Sequence, residues 1–162
     1  MNFSETLGVV YRGFYLKKRK MKIKISKEFT FEMAHSLRNY VGACGNIHGH
    51  SYKLIVTVIG EPLQSMEDPK DGMVMDFSEL KRIVKEQVID KYDHALLLNY
   101  SDTNKAGERG KLILAYQNPT AENMVANFVE DISENLPFGI TLHTLRLYET
   151  ATSYAEYCRL DQ

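Results

Sequence analysis

Two stretches in which apolar and polar residues alternate, residues 22–35 and 48–58, constrain the fold of this chain more than any other feature. In the first, Ile23, Ile25, Phe29, Phe31 and Met33 occupy odd positions between residues that are mostly Lys, Ser, Thr and Glu, and His35 continues the apolar face. In the second, His48, His50, Tyr52, Leu54, Val56 and Val58 share the even positions. A period of two sends successive side chains to opposite faces, so each stretch predicts a half-buried strand. Between them Asn39 to Asn46 is rich in turn formers, including Gly42 and Gly45.

The remaining elements follow from helical spacing and caps. Asp76-Phe-Ser-Glu79 resembles a capping box, and Leu80, Ile83, Val84 and Val88 fall on one stripe, which predicts a helix from about Phe77 to Asp90. Pro119-Thr120 opens a second helix, with Met124, Val125, Phe128, Val129 and Ile132 as its apolar face, ending before Pro137. Residues 140–149 and 154–160 read as a closing hairpin turning at Ala151 to Ser153. Tyr100 to Tyr116 is polar and glycine-containing and reads as a surface excursion. Strands that come in pairs rather than alternating with helices argue for the α+β class: a four-stranded antiparallel sheet with two helices on one face. Its two open edges predict pairing with further copies of the chain, a homo-oligomer.

With 162 residues and 44% apolar composition, the chain can bury one core, so residues 21–162 read as a single domain preceded by an extension, residues 1–20, that ends in Lys17-Lys18-Arg19-Lys20. Twenty basic against 21 acidic residues give a net charge of -1, which supplies no global attraction to nucleic acid or membrane. The longest apolar stretch, Leu54 to Ile59, falls far short of the roughly 20 residues of a membrane-spanning helix. A cytoplasmic location is expected. In that compartment Cys44 and Cys158 are expected to remain thiols.

Three of the five histidines lie within sixteen residues. His48 and His50, two apart on a strand, project to the same side, and an antiparallel pairing of the first two strands brings His35 beside them. Three nitrogen ligands and an open fourth position are the pattern of a catalytic metal site, with zinc the expected ion. Cys44, four residues before His48, has three readings: a base or nucleophile activated beside the metal, a fourth ligand that closes a structural site, or an inert thiol. Asp93-His94 is either a carboxylate-oriented imidazole that shuttles protons or an idle pair at a helix end. Glu149 ends the apolar face of the third predicted strand. Facing inward it needs a partner such as the adjacent N–H groups of a ligand, and facing outward it is solvated.

Taken together, Phe31-Glu-Met-Ala-His35, Cys44-Gly-Asn-Ile-His48-Gly-His50, Gly72-Met-Val-Met-Asp76-Phe77, Asp93-His94, Pro119-Thr120-Ala-Glu122-Asn123 and Tyr148-Glu149-Thr150 resemble the 6-pyruvoyltetrahydropterin and 6-carboxytetrahydropterin synthase family. The resemblance covers residues 22–160. It implies a tunnelling fold whose sheets join into a barrel, a hexamer of two stacked trimers with active sites between subunits, and 7,8-dihydroneopterin triphosphate as substrate. It also implies roles: His35, His48 and His50 as Zn2+ ligands, Cys44 as general base, Asp93 and His94 as its proton relay, Glu149 as anchor of the pterin ring, and Thr120 and Glu122 at the pocket. The short Cys-x-x-x-His-Gly-His spacing resembles the bacterial 6-carboxytetrahydropterin branch, which serves queuosine synthesis. The extension and the Tyr100 to Tyr116 segment depart from the family pattern.

Overall fold

The computed structural model describes residues 21–107 and 110–162; the basic extension over residues 1–20 lies outside them. The two alternating stretches form the centre of the sheet. Strand β1 (Ile23–His35) pairs antiparallel with β2 (His48–Gly60), and the register sets His35 opposite His48, Met33 opposite His50 and Phe31 opposite Tyr52. Every odd residue of β1 thus meets an even residue of β2 on one face, as the pleat demands.

Helices cover that face. α1 (Phe77–Val84) starts at Asp76, whose carboxylate accepts from the Ser78 N–H at 2.7 Å. It continues through a π-helical segment, Lys85–Ile89, into α2 (Asp90–Tyr92), so the helix predicted to end at Asp90 runs two residues further. α3 (Ala121–Ser133) is capped by Thr120, whose hydroxyl accepts from the Asn123 N–H at 3.3 Å. Leu80, Ile83 and Val88 from the first helical region and Phe128 and Ile132 from α3 are buried with Phe31, Tyr52, Leu54 and Val56 of the sheet in one core.

The sheet is larger than the four strands read from sequence. Those four, β1, β2, β5 (Thr141–Tyr148) and β6 (Tyr154–Cys158), are antiparallel neighbours in that order. Two more, β3 (Ala95–Asn99) and β4 (Lys111–Ala115), extend the β1 edge in parallel, giving the order β4-β3-β1-β2-β5-β6. β3 is Ala-Leu-Leu-Leu-Asn, with four of its five residues buried. A strand covered on both faces carries no alternation, so the period-two criterion passes over it. β4 lies within the segment read as a surface excursion and shows Leu112 and Leu114 at the sheet's outer edge. Among the described residues no helix is long and apolar enough to cross a membrane.

Candidate metal and substrate site

At the closed end of the β1–β2 pair the two strands deliver three imidazoles to one place. The ligand nitrogens of His35, His48 and His50 lie within 4.8 Å of one another. Two of the rings are held from behind. His35 Nδ1 donates to the Pro119 carbonyl at 2.7 Å and His48 Nδ1 donates to the Asn46 carbonyl at 2.9 Å, which leaves Nε2 of each ring with its lone pair free. The buried Nε2 atoms of His35 and His50 have no hydrogen-bond partner among the described residues. Burial, reinforced by the neighbouring imidazoles, holds His35 below its ordinary pKa of 6.5, and burial does the same for His50. Neutral imidazoles with orphaned, converging nitrogens fit a metal ion.

Pro119, which fixes His35, immediately precedes the Thr120 cap. Asn118 joins the same junction, its side chain accepting from the Arg38 N–H at 2.9 Å while its carbonyl accepts from Asn123 Nδ2 at 2.8 Å. The start of α3 is therefore tied both to a candidate ligand and to the loop after β1.

That loop carries Cys44. Residues Ala43–Gly45 form a short 3-10 turn, and the Leu37 N–H donates to the Cys44 carbonyl at 2.8 Å. Position 45 must be glycine, since a Cβ there would collide with the Tyr40 carbonyl oxygen. Lys105, at the end of the 3-10 segment Tyr100–Lys105, reaches across to the loop. Its ammonium donates to Ser36 Oγ at 3.0 Å and to the Gly45 carbonyl at 3.4 Å, and pairs with Asp102 at 3.0 Å. Part of the segment that had no assignment from sequence is thus a brace for the Cys44 turn.

His35, Cys44, Thr120, Glu122 and Glu149 line one cavity of about 290 Å3, together with Ser153 and Tyr154 of the β5–β6 connection. Cys44 is half-buried and free, and it is not part of the three-histidine cluster. Glu149 faces inward, with Oε1 at 3.4 Å from His35 Nε2 and 3.8 Å from His50 Nε2. The Thr120 hydroxyl accepts one bond at the helix cap and keeps its O–H free to donate. Sequence reasoning missed Tyr52 as a component. It is fully buried with its hydroxyl unpartnered among the described residues, its ring 5.5 Å from His50, and burial together with the Glu149 charge raises its pKa well above the ordinary 10.0.

Asp93 and His94 do not line this cavity within one chain. His94 borders another, beside Glu32, Gly49 and His50. The pair is nonetheless well ordered: Asp93 Oδ1 accepts from the Glu32 N–H at 3.0 Å and lies 3.0 Å from His94 Nδ1, and the Glu32 backbone bond is the main cause of the lowered Asp93 pKa. His94 is exposed and held at φ 58, a left-handed conformation that costs on the order of 1 kcal/mol in a non-glycine residue.

The family model for 6-pyruvoyl tetrahydropterin synthase matches residues 24–159, from the start of β1 through β6. The chain belongs to the 6-pyruvoyl tetrahydropterin synthase family. Within it, the chain is 38% identical over 142 residues to the 6-carboxy-5,6,7,8-tetrahydropterin synthase of Haemophilus influenzae, covering 83% of this chain and 97% of that one. It is 35% identical over 133 residues to the enzyme of the same name from Synechocystis, covering 82% and 91%. The solved Caenorhabditis elegans 6-pyruvoyl tetrahydropterin synthase superposes with a TM-score of 0.66 at 24% identity, over 86% of this chain and 97% of that chain, and so shares the tunnelling fold. The family match spans every residue of the cavity and both residues of the Asp93-His94 pair.

Proposed function

We propose that the chain is a zinc-dependent lyase that converts 7,8-dihydroneopterin triphosphate and water to 6-carboxy-5,6,7,8-tetrahydropterin, releasing acetaldehyde and triphosphate, in the cytoplasmic synthesis of 7-deazapurines such as queuosine. One observation carries the reading: three imidazoles converge, and one of them, His35, lines the same cavity as a free thiol and an inward carboxylate. The names of the bacterial relatives support the carboxytetrahydropterin branch, as does the three-residue gap between Cys44 and His48.

His35, His48 and His50 would hold the zinc, which when bound supplies Lewis acidity toward the substrate's side-chain oxygens. Cys44, through its sulfur, is the base that removes a carbon-bound proton and returns it to the neighbouring carbon. The Glu149 carboxylate accepts the paired N–H groups of the amino-pyrimidine ring and fixes which carbons face the thiol. Thr120 and Glu122, at the N-terminus of α3, complete the pocket wall. Asp93 and His94 serve as the proton relay of a neighbouring subunit's Cys44, because within a single chain they border a different cavity. The active assembly is then a homo-oligomer, a hexamer of two trimers with its sheets joined into a barrel, for which β4 and β6 are the available edges.

Incubating the zinc-loaded protein with 7,8-dihydroneopterin triphosphate and analysing the products tests this. Acetaldehyde with 6-carboxytetrahydropterin is the expected result. Formation of 6-pyruvoyltetrahydropterin with no acetaldehyde would move the chain to the other branch, and recovery of unchanged substrate would refute the lyase reading.

A further inference from the structure

Glu149 stands where β5 ends, in a turn that fixes its backbone. Its N–H and that of Thr150 donate to the Ser153 carbonyl at 3.1 and 3.3 Å, and Thr150 Oγ1 accepts from the N–H groups of Thr152 and Ser153 at 3.3 and 3.1 Å. Only the side-chain torsions are left to move the carboxylate. Oε1 approaches His35 Nε2 to 3.4 Å and His50 Nε2 to 3.8 Å, yet neither nitrogen makes a hydrogen bond. Those separations have another meaning at a metal site. Two ligand atoms that share a tetrahedral zinc through bonds of 2.0–2.2 Å lie roughly 3.3–3.5 Å apart. The carboxylate oxygen already sits one ligand–ligand edge from His35.

We propose that Glu149 is the fourth ligand of the resting metal site, and that it leaves the metal to take the pterin ring when substrate enters. The proposal rests on the reading that three histidines hold a metal and that the cavity takes a pterin. Three neutral imidazoles leave a dication uncompensated and one coordination position open. A carboxylate from the cavity wall satisfies both needs. The side chain keeps 29% of its surface exposed and lines the cavity it shares with Cys44 and Thr120, so it has room to rotate away from the histidines without the turn giving way. Arrival of the ring's N–H donors then competes for the carboxylate, and the same event that seats the substrate opens the metal to its side-chain oxygens.

The experiment uses the full chain loaded with Co2+ in place of zinc, as wild type, Glu149→Gln and Glu149→Ala, read by the visible d–d bands. Neopterin, which has the ring and side-chain hydroxyls but no triphosphate, is the added ligand. In the ligand-free state both variants are expected to differ from wild type, and their zinc affinity to fall by roughly 10–100-fold. Neopterin is expected to shift the wild-type spectrum away from its resting form. Superimposable spectra and equal zinc affinity, with neopterin binding lost in the variants, would make Glu149 a ring anchor alone. That outcome overturns the inference and leaves the functional reading standing. A Glu149-dependent resting spectrum that neopterin leaves unchanged overturns the exchange. A wild-type protein that takes up neither Co2+ nor zinc overturns inference and functional reading together. Glu149→Gln preserves the side-chain volume, so its spectrum decides the matter even if Glu149→Ala folds poorly.

Discussion

Replacing Lys105 by Met removes the ammonium that braces the Cys44 turn while keeping most of the apolar stem. Lys105 donates to Ser36 Oγ and the Gly45 carbonyl and pairs with Asp102, which also lies 3.6 Å from Arg38 Nε. A hydrogen bond from a charged donor contributes about 1.5–3 kcal/mol, and the one-third exposure of Lys105 trims this toward the lower end. Ser36 is fully buried and keeps its own bond to the Gly45 carbonyl at 3.2 Å, so the turn loses its brace rather than its fold. A local loss of about 1–2 kcal/mol raises the open population of the turn roughly 5–30-fold, at 1.4 kcal/mol per decade. Native-state hydrogen exchange reads this at three amides: Leu37, which donates to Cys44, Gly45, which donates to Gly42, and Asn46, which donates to Ala43. Their exchange should accelerate by that factor while amides of β2 and α3 stay protected, and kcat should fall with bound metal unchanged. Unaltered exchange at the three amides, or equal acceleration throughout the molecule, would refute the brace.

Three further outcomes follow from the same contacts. Thr120→Ala removes the cap of α3 and should cost about 1 kcal/mol, a drop in Tm of roughly 2–4 °C by calorimetry. Chelating the metal should destabilise the protein by on the order of 2.7 kcal/mol relative to metal at 100 times its Kd, seen as a fall in Tm of about 5–10 °C that zinc restores. Because burial depresses the pKa of His35 and His50, the folded metal-free chain resists their protonation while the unfolded chain accepts it. Stability of the metal-free protein should hold above pH 6.5 and decline as the pH falls through and below it, measured by denaturant midpoint. A decline that begins instead on the alkaline side would contradict the assignment of neutral imidazoles.

Much of the site was legible in the sequence because it is written in strand periodicity. His35, His48 and His50 fall on the buried parity of two alternating strands, and once those strands pair, the register places His35 opposite His48 with no further information. Glu149 was legible only as the end of an apolar strand face, with inward and outward orientations both open, because β5 stops at Tyr148 and the turn beyond it sets the side chain's direction. β3 was not legible, since Ala95–Asn99 is buried nearly throughout and its four consecutive apolar residues carry no period. β4 was hidden in a segment whose polar and glycine residues read as loop, although Lys111–Ala115 gains its pairing only from β3. The bracing by Lys105 joins residues 60 and 69 positions apart, which no local pattern encodes. Tyr52 was visible as a core residue, but the isolation of its hydroxyl depends on packing from the sheet and helices together.

The central claim, that the three histidines bind the metal and Cys44 does the chemistry beside it, is tested most directly by measuring zinc content and acetaldehyde release in Cys44→Ala. The account predicts as much bound zinc as in the wild type and no acetaldehyde from 7,8-dihydroneopterin triphosphate. Loss of zinc from the variant, or turnover that survives the substitution, would contradict it.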